Sequence, residues 1–231
     1  MFTKNLQDNL AAWKEEYNSA KPFNHIVIDE LFDESMLSDA VTEFPDSKDF
    51  RSRDWSRFAA KSENLKAGLN GPGLLQLPKV YKALSCLNSD EFMSFLRELL
   101  DIPSLQKDDT YRGGGLHEIS PGGHLSVHLD FSRHGTMWRR ANCLLYLNKD
   151  WDDDYGGHLE LYDAKPSLGG KCVKKIAPIF NRLVIFGTSK ESWHGHPTPL
   201  TCPPTMKRRS LASYYYSNEP GEDNITHGTI F

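Results

Sequence analysis

Between His124 and Phe131 the chain alternates polar and apolar residues one for one: His, Leu, Ser, Val, His, Leu, Asp, Phe. Successive side chains of a β-strand point to opposite faces. The pattern therefore predicts a strand with Leu125, Val127, Leu129 and Phe131 on one face and His124, Ser126, His128 and Asp130 on the other. The apolar face reads as core and the polar face as a site. An imidazole and a carboxylate two residues apart on one side of a strand can converge on one metal ion, given a third ligand from a neighbouring strand. Alone, such a pair is more often a surface or structural feature than a metal site. The remaining pieces have to come from elsewhere in the chain.

The surrounding sequence supplies a β framework. From Tyr111 onward short apolar runs are separated by turn residues, which predicts strands at Gly115 to Ser120, Leu125 to Phe131, Arg140 to Asn148, His158 to Tyr162, Lys171 to Ile176, Arg182 to Gly187 and Ser210 to Tyr216. So many short strands in about a hundred residues suggest a sandwich or barrel. The first half reads differently. Leu6, Leu10, Trp13 and Tyr17 fall at helical spacing, and further helices are predicted from Glu34 to Glu43 with Asp33 as N-cap, around Val80 to Leu84, and from Asp90 to Leu100 with Ser89 as N-cap. A short strand is expected from Pro22 to Asp29, and His25 within it has a structural or surface role. Helices first and strands afterwards argue for an α+β fold rather than a βαβ one.

The stretch from Asp46 to Pro72 is polar and lacks periodicity, so it reads as a long loop or lid, its Arg51, Arg53, Arg57 and Lys61 as readily a solvated face as a binding patch. No repeat or linker divides the 231 residues. One domain is expected, with 1–110 mainly helical support, 111–216 the β core and 217–231 a tail.

Composition excludes several function classes. A formal net charge of -4 gives no basic field for nucleic acid or anionic membrane. No apolar run approaches the roughly 20 residues that span a bilayer, and nothing resembles a leader, so a cytoplasmic location is the expectation. Cys86, Cys143, Cys172 and Cys202 are scattered without a CxxC spacing and read as reduced thiols, Cys143 in the core.

A third ligand is available beyond the apolar strand Leu183-Val184-Ile185-Phe186, in Ser192-Trp193-His194-Gly195-His196-Pro197. His194, on a turn at the strand's end, is placed to lean over a barrel mouth; His196 competes, but it precedes a proline that restricts its backbone. A cation follows. Arg208 and Ser210 share one face of the next strand, and a guanidinium with a hydroxyl beside it suits the distal carboxylate of a dicarboxylic acid. A basic Lys207-Arg208-Arg209 trio can equally be a solvated strand start.

In this order, His128-x-Asp130, His194 and Arg208-x-Ser210 resemble the 2-oxoglutarate and Fe(II)-dependent oxygenases, in their prolyl 4-hydroxylase-like branch. Tyr146-Leu147-Asn148-Lys149-Asp150-Trp151, Gly156-Gly157-His158-Leu159-Glu160-Leu161-Tyr162 and Asn181-Arg182-Leu183-Val184-Ile185-Phe186 are similar to that branch's strands and turns. The resemblance implies a double-stranded β-helix (jelly-roll, cupin-like) core with the N-terminal helices packed against it. It implies Fe(II) on His128, Asp130 and His194, and 2-oxoglutarate held by Arg208 and Ser210, with Tyr146 reaching the cosubstrate and Leu159 against its carbon chain. The catalytic set would be His128, Asp130, His194 and Arg208. One departure is the absence of a clear aromatic contact upstream of the His-x-Asp strand, where His117, Glu118 and His124 lie instead.

The chemistry implied is O2-dependent hydroxylation of a C–H bond, of a prolyl residue or an amino-acid-like substrate, with release of succinate and CO2 and with ascorbate as a further cofactor. Asp130 favours hydroxylation over halogenation, which needs a vacant position there. Loop residues Arg133, Trp138 and Arg139 are candidate substrate contacts, and Asp152-Asp153-Asp154 reads as a solvated turn. Two other classes compete: a jelly-roll binding module with a structural metal, and a zinc hydrolase. Neither has a use for Arg208.

Overall fold

The structure is a computed structural model that describes residues 1–44, 55–58, 63–221 and 226–231. Helix α1 (Leu6–Ser19) starts where the Asn5 side chain accepts from the Gln7 N–H, and it buries Leu6 and Tyr17. Strand β1 (His25–Asp29) leads to α2 (Glu34–Glu43), capped by Asp33, which accepts from the Met36 N–H at 2.9 Å. Strands β2 (Trp55–Phe58) and β3 (Glu63–Leu69) pair antiparallel. Helix α3 (Pro78–Cys86) has no side-chain cap of its own. Its Lys79 and Val80 N–H groups donate instead to Glu43 at the end of α2, at 2.6 and 3.0 Å, which ties the two helices together. Helix α4 (Asp90–Leu99) is capped by Ser89 and buries Phe92, Met93, Phe95, Leu96 and Leu99 along one side.

The rest is sheet: β4 (Gln106–Lys107), β5 (Gly115–His128), β6 (Arg133–His134), β7 (Met137–Tyr146), β8 (Leu159–Tyr162), β9 (Cys172–Ile176), β10 (Arg182–Gly187), β11 (Trp193–His196) and β12 (Arg208–Ser217). The strands pair antiparallel in the order β1-β10-β7-β12-β5-β11-β8-β9, with β3 also on β5. Strand β5 carries the turnover. Its first residues, Gly115 to Ile119, lie between β12 and β3, whereas its end pairs with β11, so one long strand passes from one layer to the other and the sheet curls on itself. This curled antiparallel core with flanking helices is a double-stranded β-helix.

The helices cover one face of the layer β1-β10-β7-β12. Ala141, Cys143 and Leu145 of β7, Leu183 and Ile185 of β10, and Leu211 and Tyr215 of β12 join one core with Phe92, Phe95, Leu96 and Leu99 of α4. Each such buried aliphatic or aromatic side chain contributes roughly 1.5–3 kcal/mol relative to exposure. The alternate residues, Leu144, Tyr146, Val184, Phe186, Ala212 and Tyr214, face the inside of the curl in smaller clusters.

Four expectations are corrected. The stretch from Asp46 to Pro72, read as a loop, contains β2 and β3, and β3 pairs with β5. Its pattern was hidden by Gly68 within the strand and by the left-handed backbone of Leu65 (φ 52°), where register with β5 slips. Arg51, Arg53, Lys61 and the side chain of Arg57 lie outside the described residues. Gly115 to Ser120 and Leu125 to Phe131 belong to one strand that ends at His128, not two. His194 lies within β11 rather than on a turn. Lastly, β5 uses four residues, Leu125 to His128, where β11 uses three, His196 to His194. That bulge swaps faces, so Leu125 lines the inner cavity with His128, while Val127 and Leu129 pack in a satellite cluster with Trp193. Phe131, past the strand's end, also lines the cavity.

Candidate metal and dicarboxylate site

Inside the curl is a cavity of about 240 Å3. His128 at the end of β5 and His194 on β11 are cross-strand partners, which brings their rings to 4.5 Å between centroids. Gly195 makes this approach possible, because a Cβ there would stand 2.8 and 2.9 Å from the carbonyl oxygens of Ser126 and Leu125. Asp130 closes the triangle: its Oδ1 is 3.5 Å from His128 Nε2 and its Oδ2 3.4 Å from His194 Nε2. One ligand atom from each of the three lies within 4.8 Å of the others, and no further such group occurs among the described residues.

Several features orient this triad for a metal. The Nδ1 atoms of His128 and His194 each sit 2.8 Å from a backbone carbonyl, of Ser126 and Ser192 respectively, which presents both Nε2 atoms to the cavity. Neighbouring octahedral positions with bonds of about 2.1 Å are about 3 Å apart, so the observed separations need only a slight contraction. The two imidazoles and a carboxylate on one face are the donor set that suits Fe(II) with positions left open. Burial pushes the His194 imidazolium pKa down, leaving the neutral form that ligates. Burial works the other way on Asp130, but Arg139, His194 and His128 outweigh it and hold its carboxyl well below the usual range.

Arg139 is the unusual neighbour. It is 1 % exposed, its guanidinium lies 3.5 Å from the Tyr214 ring centre and 4.6 Å from that of Phe131, and its Nε donates to Asn142 Oδ1 at 2.7 Å. Asn142 in turn donates to Asp130 Oδ2 at 2.6 Å. Nη2 is 3.1 Å from Asp130 without hydrogen-bond alignment, and neither Nη1 nor Nη2 has a hydrogen-bond acceptor among the described residues. Of the three candidate substrate contacts, which lie in β6 and β7 rather than in a loop, Arg139 lines the cavity, whereas Arg133 stacks on Trp138 outside it, 4.8 Å from the ring centre.

The other anchor is Arg208. It is 5 % exposed, its Nε donates to the Gly157 carbonyl at 2.7 Å, and its Nη2 donates to the Tyr146 hydroxyl at 3.1 Å. Gly157 is in the left-handed region (φ 70°), and a Cβ there would meet Leu200 at 2.6 Å and Arg208 at 2.9 Å, so the Gly-Gly turn is shaped around this guanidinium. Ser210 and Leu159 line the same cavity, and Tyr146, fully buried, reaches it through Arg208. Burial pushes the Tyr146 phenol up and Arg208 offsets part of that. The cavity thus holds a metal donor set and a buried cation with adjacent hydroxyl, which is what a chelating dicarboxylic acid requires.

Sequence reasoning assigned no role to three contributors. Lys66 enters from β3, the strand read as a loop. His117 fills the place where the aromatic contact was unclear; its Nε2 is 3.1 Å from the Gly113 carbonyl, and burial pushes its pKa down to about 3. Glu118 is engaged elsewhere, with Lys207 at 2.5 Å and Arg209 at 3.0 Å. Thr229 lines the cavity from the segment 226–231, whose Ile230 exchanges both backbone hydrogen bonds with Leu129 and whose Phe231 ring lies 5.4 Å from that of His128. That segment was read only as a tail. Asp153 pairs with His158 at 2.8 Å in an exposed turn, and His25 bonds the Phe23 carbonyl at 2.9 Å.

A double-stranded β-helix with a His-Asp-His triad and a buried arginine in one cavity is the arrangement that the resemblance to the 2-oxoglutarate-dependent oxygenases implies. Residues 114–216 match the family model of the 2OG-Fe(II) oxygenase superfamily. A 79-residue stretch, 34 % of the chain, is 38 % identical to prolyl 3-hydroxylase OGFOD1 of Mus musculus, covering 14 % of that protein. Among solved structures, the fold matches a prolyl hydroxylase of Trichoplax adhaerens crystallised with a hypoxia inducible factor peptide fragment, with TM-score 0.65, 18 % identity and 94 % of each chain covered. It also matches a Pseudomonas putida prolyl-4-hydroxylase, with TM-score 0.64, 16 % identity, and 91 % of this chain and all of that one covered. The comparisons thus relate residues 114–216 to the 2OG-Fe(II) oxygenases and the fold to that of prolyl hydroxylases.

Proposed function

We propose that this protein hydroxylates a C–H bond of a prolyl residue or an amino-acid-like substrate, in a reaction that consumes O2 and 2-oxoglutarate. The observation that carries the reading is the presence of both anchors in one cavity: the His128, Asp130 and His194 donors, and the Arg208 guanidinium with Ser210 beside it. When bound there, Fe(II) would activate O2, the oxidant, which takes two electrons from 2-oxoglutarate, released as succinate and CO2, and two from the substrate C–H bond. The chain's own residues do the rest. His128, Asp130 and His194 would hold the metal, Arg208 and Ser210 the distal carboxylate, and Leu159 the methylene chain, while Leu144 and Phe186 keep the walls dry.

Arg139 provides a place for the substrate. Its Nη1 and Nη2, which lack a hydrogen-bond acceptor among the described residues although Nη2 pairs electrostatically with Asp130, suit a carbonyl or carboxylate oxygen close to the C–H bond attacked. A peptide carbonyl beside a prolyl ring fits, and the relatives' prolyl hydroxylase names support this class. A zinc hydrolase would leave Arg208 and Arg139 without a role, and a bare binding module would not need the open triad.

The test is succinate formation from 2-oxoglutarate by purified protein with Fe(II) under air, alone and with prolyl peptides. Turnover is expected in the wild type, rising with a productive peptide, and is expected to vanish in Asp130→Ala. Arg208→Ala should raise the 2-oxoglutarate requirement about 10- to 100-fold, the value of a lost charge-assisted hydrogen-bond pair. No turnover and no binding of 2-oxoglutarate would end the oxygenase reading in favour of a binding module.

A further inference from the structure

His196 follows His194 by two residues on β11 and lines the same cavity, yet the reading above gives it no task. It is 3 % exposed, and neither of its ring nitrogens has a hydrogen-bond partner among the described residues. The contrast with its neighbours is instructive. His128 and His194 each place Nδ1 against a carbonyl and turn Nε2 to the triad, whereas His196 spends neither nitrogen on the protein. It is not a fourth metal donor, because the cluster of converging ligand atoms includes His128, Asp130 and His194 without it. It also forms the wall towards an outer cleft, in which Glu160 pairs with Lys175 at 3.0 Å, Asp153 with His158 at 2.8 Å and Arg182 with Asp29 at 2.6 Å.

Arg208 and Lys66 are the charged side chains that bear on His196, and both line the cavity with it. A buried neutral imidazole offers one N–H and one acceptor lone pair. In a pocket with two cations, the group that could accept that N–H and be drawn there is an anion with several oxygen lone pairs. We propose that His196 is a third donor to the distal carboxylate of the cosubstrate, beside Arg208 and Ser210. This rests on the oxygenase reading and deepens it: the distal end of the pocket recognises a carboxylate through a guanidinium, a hydroxyl and an imidazole. It makes His196 a determinant of which 2-oxo acid the protein accepts.

The experiment compares 2-oxoglutarate with 2-oxopentanoate, which keeps the chelating end and replaces the distal carboxylate by a methyl group. Binding is measured by calorimetry on the full chain with Mn(II), without oxygen. His196→Leu should weaken 2-oxoglutarate about tenfold, the size of one lost hydrogen bond to a charged group, and leave 2-oxopentanoate unchanged. His196→Gln, which keeps a donor, should stay within about threefold of wild type for both ligands. In the wild type, with Zn(II) bound, a protected His196 ring proton should appear in the nitrogen-15 spectrum with 2-oxoglutarate and not with 2-oxopentanoate; this serves even where the leucine variant does not fold. Equal losses for both acids, no loss for 2-oxoglutarate, or no ring-proton signal would overturn the proposal. Wild-type protein that fails to bind 2-oxoglutarate would overturn the oxygenase reading with it, whereas binding that needs Arg208 but not His196 would overturn the His196 proposal alone.

Discussion

The layer β1-β10-β7-β12 has two faces that differ in what the same strands are used for. On the helix side, Cys143, Leu145, Leu183, Ile185 and Leu211 are fully buried and packed against apolar side chains. On the cavity side, the alternate positions carry Asn142, Tyr146, Arg208 and Ser210, equally buried but polar and built around hydrogen bonds. One residue's shift of register would exchange these faces, so the apolar packing fixes where the chemistry stands. The helix face supplies stability, and the inner face spends some of it on buried polar groups left short of partners, such as Arg139 and His196.

The sharpest separation of the two faces comes from removing a triad member. His194→Ala should abolish metal binding and turnover while changing the stability of the metal-free protein by about 1 kcal/mol or less, measured by denaturant unfolding. A collapse of the fold instead would mean that the inner face is structural. The converse change is Leu211→Ala on the helix face, expected to cost about 2–5 kcal/mol through the cavity it leaves. Affinity of the remaining folded protein for 2-oxoglutarate should be unchanged. A large change in that affinity would show that the two faces are coupled.

A smaller effect separates them by pH. His117, on the cavity side, is held down to about 3 by burial, below the value near 6.5 expected unfolded. Between these values the unfolded chain binds the proton that the folded one refuses, so stability is lost as pH falls from about 6.5 towards 3. His117→Asn should flatten the melting temperature against pH in that window, and Leu211→Ala should lower the whole curve without changing its slope. An unaltered slope in His117→Asn would show that other groups account for the acid sensitivity.

Much of this division was legible in the sequence because it rests on period two. The runs Leu183-Val184-Ile185-Phe186 and His128-Leu129-Asp130 sort their residues by face without any knowledge of neighbours. Helix caps at Asp33 and Ser89 were readable for the same reason, being local. What escaped depends on pairing across distance. The bulge that turns Leu125 inward is a count of residues on β5 against β11, and β3 with its Lys66 is a strand because β5 lies beside it. Arg139 appeared as a candidate substrate contact and His196 as a competing ligand, since burial short of hydrogen-bond partners is a property of the folded site. Thr229 and Ile230 could not be placed, because nothing in six residues of tail says which strand they cover.

Anomalous diffraction from crystals grown with Mn(II) and 2-oxoglutarate, without oxygen, addresses the central claim most directly. The account predicts one strong metal peak among His128 Nε2, Asp130 and His194 Nε2, and dicarboxylate density running from it to Arg208 and Ser210. A metal at Asp153 and His158 with none at the triad, or a dicarboxylate bound away from Arg208, would contradict it.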